Sequence, residues 1–493
     1  MAVWGILDGG GGGATQTRLG QWLGADDAKF GWLGAAPQAA LLLAVPGSLV
    51  VQWLGRRQAF FVWTMTIHRL LYLLIGLLPW FCPQKTGALL MIGLLLVANG
   101  LSAFGGQAWA HWMADLVPPR VRGKYFARRS RYGIAVMLLT GVAVGVILDV
   151  GQFPWCITHL APMADACNHM SPLILMISVL FIIAGLVGSV DILTFLHVDD
   201  PPMESTKISA FRETLSAPLR DGQFMRYCAY YAAWTFAVIW CQVFWYVLLL
   251  KFFDDQAAAH ATHWWSDWKY LGAAVVLAVS YQIGQFLGYP IWGRAVDKFG
   301  RKPAFFVSSM LHTLSWLPWV FISPALLPWL CLTQIYGGLT GGGQDIASFN
   351  MMLRFNRKGG PAYQAVGTVL FALAGFVAAV SAGALMKFLQ NANYRCLDYH
   401  FLVGTPWTFT FNRYGVLIIS GVLMKYAADL LLLPRVQDWH DKPAEHTMRF
   451  VLDSVYGNLN QFVLVPLLSV PTEARRHLRK VRDLVRNRDS SEL

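Results

Sequence analysis

The stretch GRAVDKFGRK, Gly293 to Lys302, lies between two long apolar segments and decides how the rest of the chain is read. Two apolar runs joined by so few polar residues are two helices that turn back on each other at a membrane surface. Gly293 suits a place where helices approach closely, and Gly300 is a second fixed glycine of the pattern. Lys298, Arg301 and Lys302 pin the turn at the cytoplasmic lipid surface. Asp297 is placed to accept hydrogen bonds from a neighbouring helix N-terminus or to pair with a base.

Outward from this turn, composition tells the same story. Of 493 residues, 56% are hydrophobic and only 13% are charged, against about 45–50% and about 25% in soluble domains. Apolar runs long enough to cross a bilayer recur along the chain. Twelve spans are expected, near residues 2–22, 29–53, 58–81, 87–113, 130–151, 172–196, 224–252, 270–294, 303–322, 325–353, 361–388 and 411–433. The fold class is therefore an all-α membrane protein. An even number of spans puts both termini on one face. That face carries 29 of the 39 Lys and Arg residues and the opposite face 8, with Arg69 and Lys425 inside spans. The positive-inside rule makes the basic face cytoplasmic, so the expected location is the inner membrane, multi-pass, with both termini inside. The net charge of +12 then reports topology and contact with the anionic inner leaflet, not nucleic-acid binding. Span 1 begins at Met1 without a basic leader, which points to a very short tail or an upstream start; no cleavable signal peptide is evident.

The two halves look duplicated. SLVVQWLGRR, Ser48 to Arg57, stands where the second half has GRAVDKFGRK, and matches at Gly55, Arg56 and Arg57 but has Gln52 at the acidic position. LVPPRVRGKYFARRSR after span 4 corresponds to LRFNRKGGPAYQAVG after span 10. With the pattern G-x-x-x-D-[RK]-x-G-[RK]-[RK], the chain resembles the major facilitator superfamily over about residues 1–435. The resemblance implies two pseudo-symmetric six-helix halves, 1–196 and 224–433, and a cytoplasmic linker at 197–223; beyond it, 434–493 reads as a basic amphipathic tail, with Thr472 to Arg488 carrying Leu478, Val481, Leu484 and Val485 on one stripe, suited to the anionic inner leaflet. The resemblance also implies alternating access, with spans 1, 4, 7 and 10 lining a cavity, 2, 5, 8 and 11 gating it, and 3, 6, 9 and 12 bracing it. Asp297 would bond across the halves to span 5 near Arg128 to Arg131, holding the cytoplasmic gate shut in the outward-open state.

Buried polar groups are costly in a bilayer and so mark the pathway. The expected cavity set is Asp8 and Gln16 on span 1, and Asn99, Gln107 and Trp109 on span 4. Span 7 adds Trp234, Gln242 and Trp245, and span 10 adds Gln334, Gln344 and Asp345. Gln282 and Gln285 of span 8 lie nearby. Amides beside indoles suit a neutral, hydroxyl-bearing solute such as a sugar. Asp345 is the first candidate for proton coupling and Asp8 the second. Among the charges inside spans, Arg69 is expected to pair with Asp8, and Lys425 with Asp429 one turn on. Cys156 and Cys167, in the external connection 152–171, are a disulfide candidate. No zinc-like spacing, HExxH, GxSxG or Walker A pattern occurs, so no metal, cofactor or enzyme activity is expected. The leading reading is a monomeric secondary transporter taking up a small organic solute with protons or another ion. Export of a drug-like solute and a transporter-like sensor are the alternatives.

Overall fold

Gly300 alone separates two helices. Its φ of 104° and ψ of 166° are open only to glycine, so helix Ser280–Phe299 ends and helix Arg301–Leu314 begins at one residue. The structure, a computed structural model, describes residues 13–459 except 44–45, 48–49, 51–53, 55, 83, 117–118, 167–169, 201–215, 259–266, 323–326, 360, 392–398, 402–408 and 438–443.

The described elements follow the order of the twelve expected spans. Among the described residues, eight helices are long and apolar enough to cross a membrane, and a ninth span counts if the bent pair Ala135–Val150 and Pro154–Ala164 is one. The eight are spans 3, 4, 6, 7, 8, 9, 11 and 12. Span 1 is described as Ala14–Trp22, span 2 as Asp27–Leu41, span 4 as Gln84–Leu116 and span 10 as Leu327–Gly359. Starts follow local chemistry. Asp26 accepts from the Lys29 amide (2.9 Å) at span 2, Asp221 from Gln223 and Phe224 (3.0 and 3.1 Å) at span 7, and Asn412 from Tyr414 (3.0 Å) at span 12. Each such cap is worth about 1 kcal/mol.

Several expectations are corrected. The signature residues Gly293 to Phe299 are helical, and only Gly300 is a turn. No atom lies within 4 Å of a Cβ built at Gly293, so this glycine serves no close approach among the described residues. The close approach between spans 8 and 10 is made elsewhere: Gly284 and Gly288 of span 8 face the Ile335 and Leu339 backbone of span 10, and Gly338 of span 10 faces the Tyr281 backbone of span 8. The basic stretch after span 4 is helical too: helix Pro119–Val150 carries it continuously into span 5. Two antiparallel strands, β1 (Tyr399–Phe401) and β2 (Phe409–Phe411), lie between spans 11 and 12 with His400 opposite Thr410. Helix Ala444–Leu459 packs on spans 8 and 9; its Phe450 ring lies 5.3 Å from Phe299, with the Lys298 ammonium 5.2 Å above it. The expected amphipathic stretch beyond residue 471 lies outside the described residues.

Between the halves, span 2 packs on span 11 and span 5 on span 8. Small residues allow both contacts. A Cβ at Gly31 would meet Ala379 O at 2.7 Å, and one at Gly145 would meet Leu271 Cα at 2.9 Å.

Candidate solute pathway and its closed end

The polar residues on the second half divide into two groups. On span 10, Gly343 is pressed against Ser308 of span 9 and Trp292 of span 8. Asp345, two residues on, is turned by about 200° at 3.6 residues per turn, away from the bracing span 9. It is accessible, and its carboxylate accepts from Gln285 Nε2 (2.9 Å) and Tyr289 OH (3.3 Å) of span 8. Asp345 of span 10 and Gln285 of span 8 are thus brought together.

The second group is fully buried between spans 7, 9 and 12. Lys425 Nζ donates to Thr313 Oγ1 (3.0 Å) and Ser309 O (3.4 Å) and lies 3.2 Å from His312 Nδ1. The Trp316 and Trp234 rings flank it at 5.1 and 5.8 Å. Asp429 accepts from Tyr230 OH (2.8 Å) and Ser309 Oγ (2.6 Å). The expected Lys425–Asp429 pair is therefore not a direct ion pair; Ser309 joins the two charges, its carbonyl facing the ammonium and its hydroxyl the carboxylate. Helical spacing put both residues on one face, but Ser309, Thr313 and Tyr230 lie on other elements and could not be read from it.

Other expected site residues fare unevenly. Trp234 Nε1 donates to Ser309 Oγ (3.3 Å), and Trp245 lies 5.0 Å from the Trp319 ring, so both indoles are set against span 9. Asn99 donates to Leu95 O of its own helix (2.8 Å). Gln16, Trp109 and Gln334 are half-buried, Gln242 is exposed where span 7 breaks, and Gln344 is buried with its Nε2 unpartnered. Asp8, Gly55 and the side chain of Gln107 lie outside the described residues. Arg69 packs its stem on Gly188 of span 6, near Asp191; its expected partner Asp8 is not described. Arg56 is the exposed start of span 3, while Arg57 is buried and reaches Asp200 at 3.7 Å. Asp297 is exposed, and the side chains of Arg128 to Arg131 lie outside the described residues. Lys302 Nζ donates to Pro434 O (3.3 Å) at the end of span 12. Cys156 is a free thiol. Its expected partner Cys167 lies outside the described residues.

A buried polar contact between the halves was not legible in the sequence. Asp149 at the end of span 5 is fully buried, and its two carboxylate oxygens accept from the backbone N–H of Tyr270 (2.9 Å) and Leu271 (2.7 Å). A residue of the first half thus caps the first turn of span 8 in the second half, where the helix dipole favours a negative charge. Beside it, Arg18 of span 1 reaches Asp254 of span 7 at 2.5 Å and donates to Tyr270 OH at 3.1 Å. Lys269 holds the other Asp254 oxygen. Lys387 pairs with Asp26 and Arg413 with Asp27, both at 2.9 Å. Among the described residues, every polar side-chain tie between the halves lies at this end, opposite the linker and tail.

Residues 256–488 match the sequence profile of the Major Facilitator Superfamily. Solved transporters share the fold. A mutant form of the nucleoside transporter NupG aligns at TM-score 0.60 with 11% identity, covering 88% of this chain and 96% of its own. A D-xylose-proton symporter aligns at TM-score 0.57 with 15% identity, covering 88% and 97%. An inward-facing bacterial homologue of the human lysosomal transporter Spinster aligns at 0.56 with 14% identity, covering 88% and 93%. The fold is that of the major facilitator superfamily. A search of curated proteins finds no match by sequence. The profile match over residues 256–488, the apolar helices and the shared fold make this an integral, multi-pass membrane protein with the facilitator fold. Identities of 11–15% carry the facilitator fold and not a substrate.

Proposed function

We propose that this facilitator takes up a small, hydroxyl-bearing organic solute by alternating access, coupled to protons through Asp345. The observation that carries this reading is Asp345 itself: an accessible carboxylate on a span 10 face turned from the brace, within hydrogen-bond reach of Gln285 and Tyr289. An amide and a phenol around one acid suit hydroxyl recognition together with proton exchange. A neighbour in fold is a D-xylose-proton symporter, which fits that chemistry. The inter-half ties at the end opposite the tail support a state closed outside and open to the cytoplasm, with both termini cytoplasmic in an inner membrane. An inward-facing Spinster homologue is among the neighbours in fold.

A thermal-shift screen against sugars, nucleosides, amino acids and dyes supplies the solute, and counterflow in proteoliposomes then separates a transporter from a sensor. With that solute, Asp345→Asn is expected to abolish accumulation driven by a pH gradient while exchange stays measurable. Gradient dependence in the mutant equal to that of the unmodified protein overturns the role of Asp345. Accumulation only in inverted vesicles favours export.

A further inference from the structure

At the same end as the Asp149 cap, the chain leaves span 5 and turns by 86° into helix Pro154–Ala166. The elbow is built rather than loose. Gln152 and Phe153 amides donate to Asp149 O and Val150 O at 3.0 and 3.1 Å, and the Cys156 amide donates to Phe153 O at 2.9 Å. Gly151 lies against the Met176 sulfur of span 6, which would have to move for a side chain there. The far end is fastened as well: Ala164 is fully buried, and Met170, 2% exposed, donates its amide to Ala164 O at 3.1 Å. A helix fixed at right angles to a membrane span, at the level where that span ends, lies in the plane of the bilayer surface.

Its outer side carries large apolar groups beside the exposed Thr158 and His159, whose side chains both bond back to Trp155 O, at 2.9 and 2.6 Å. Trp155 is 62% exposed, Met163 58% and Ile157 39%. Trp155 and Met163 are eight residues apart and fall on one stripe at 3.6 residues per turn. The thirteen residues PWCITHLAPMADA contain a single charged side chain, Asp165. A solvated surface helix normally carries charge on its outer side, whereas indole and thioether groups with few charges suit the boundary between headgroups and acyl chains.

We infer that helix Pro154–Ala166 is an interfacial anchor, seated through Trp155 and Met163 in the leaflet opposite the tail. Its partner is the lipid surface itself. The elbow also touches the closed end: Phe153 meets Trp268, the residue before span 8, ring to ring at 6.1 Å, and Asp149 lies four residues before Phe153. The anchor therefore sets the level of the span 5 terminus that caps span 8.

The test is a nitroxide attached to single cysteines at positions 155, 159 and 163 in a cysteine-free background. The full chain is reconstituted in phosphatidylethanolamine and phosphatidylglycerol vesicles, and accessibility to oxygen is compared with accessibility to a nickel chelate. Labels at 155 and 163 are expected to favour oxygen, at about 5–10 Å below the phosphates, with the label at 159 reporting independently if one substitution impairs folding. Preference for the nickel chelate at 155 and 163 means a water-exposed helix and overturns the inference. Labels shielded from both reagents in a way that depends on protein density mean a second copy of the chain covers the helix, and overturn it equally.

Discussion

At the residue scale, the signature turn divides its glycines sharply. Gly300 must be glycine because no side chain is comfortable at a φ of 104°, and strain of this kind costs about 1–3 kcal/mol. Gly293 meets nothing within 4 Å. Gly300→Ala is therefore expected to lower the unfolding midpoint of purified protein in detergent by several degrees, and Gly293→Ala to leave it nearly unchanged. Differential scanning fluorimetry of the two variants side by side checks this, and a larger loss at Gly293 would sink the account. The sequence marked both glycines alike, since a motif records residue types and not the dihedral each one adopts. The same limit explains Lys425 and Asp429: their spacing of four was legible, but Ser309, which stands between them, arrives from a helix more than a hundred residues away.

At the element scale, the tail helix Ala444–Leu459 gives the signature turn a second partner. Phe450 meets Phe299, the last residue of the span 8 helix, and Lys298 covers the Phe450 ring. An aromatic pair adds about 0.5–1.5 kcal/mol beyond its buried area, and a cation over an exposed ring about 0.5–1 kcal/mol. Phe450→Ala is expected to raise protease cleavage between residues 435 and 459 several-fold while leaving spans 8 and 9 folded. Limited proteolysis with mass spectrometry reads both; an unchanged cleavage rate would show that the helix docks by other contacts. Helix starts at Asp26, Asp221 and Asn412 were readable in the sequence, because a cap acts on amides two or three residues away. Hairpin β1–β2 could have been suspected from the aromatic alternation in YHF and FTF. The break of span 7 at Val243 and the elbow after span 5 had no such local sign.

At the scale of the whole molecule, the ties at the closed end differ in kind. Asp149 is buried and holds two backbone amides, whereas Lys387 and Asp26 are 47% and 36% exposed. Hydrogen bonds to a charged group contribute about 1.5–3 kcal/mol, and exposed ion pairs about 0–1 kcal/mol. Asp149→Leu is thus expected to shift the population away from the state closed at this end by tenfold or more, and Lys387→Ala by little. Spin-label distances between the outer ends of spans 5 and 8 report the shift. Equal effects from the two substitutions would refute the difference. The chain alone determined the membrane class, the order of the spans, the basic face and the facilitator signature. Each of these follows from hydropathy summed over twenty residues, from charge counts, or from neighbours in the chain. Only the tertiary structure decided which acid caps span 8, which indoles turn to span 9, where glycines meet, and at which end the described polar ties between the halves lie. Those facts rest on contacts between residues far apart in the chain, 75 positions for Trp234 and Ser309 and 121 for Asp149 and Tyr270, made by backbone groups and hydroxyls that occur throughout any sequence and become specific only when packing brings them within hydrogen-bond reach.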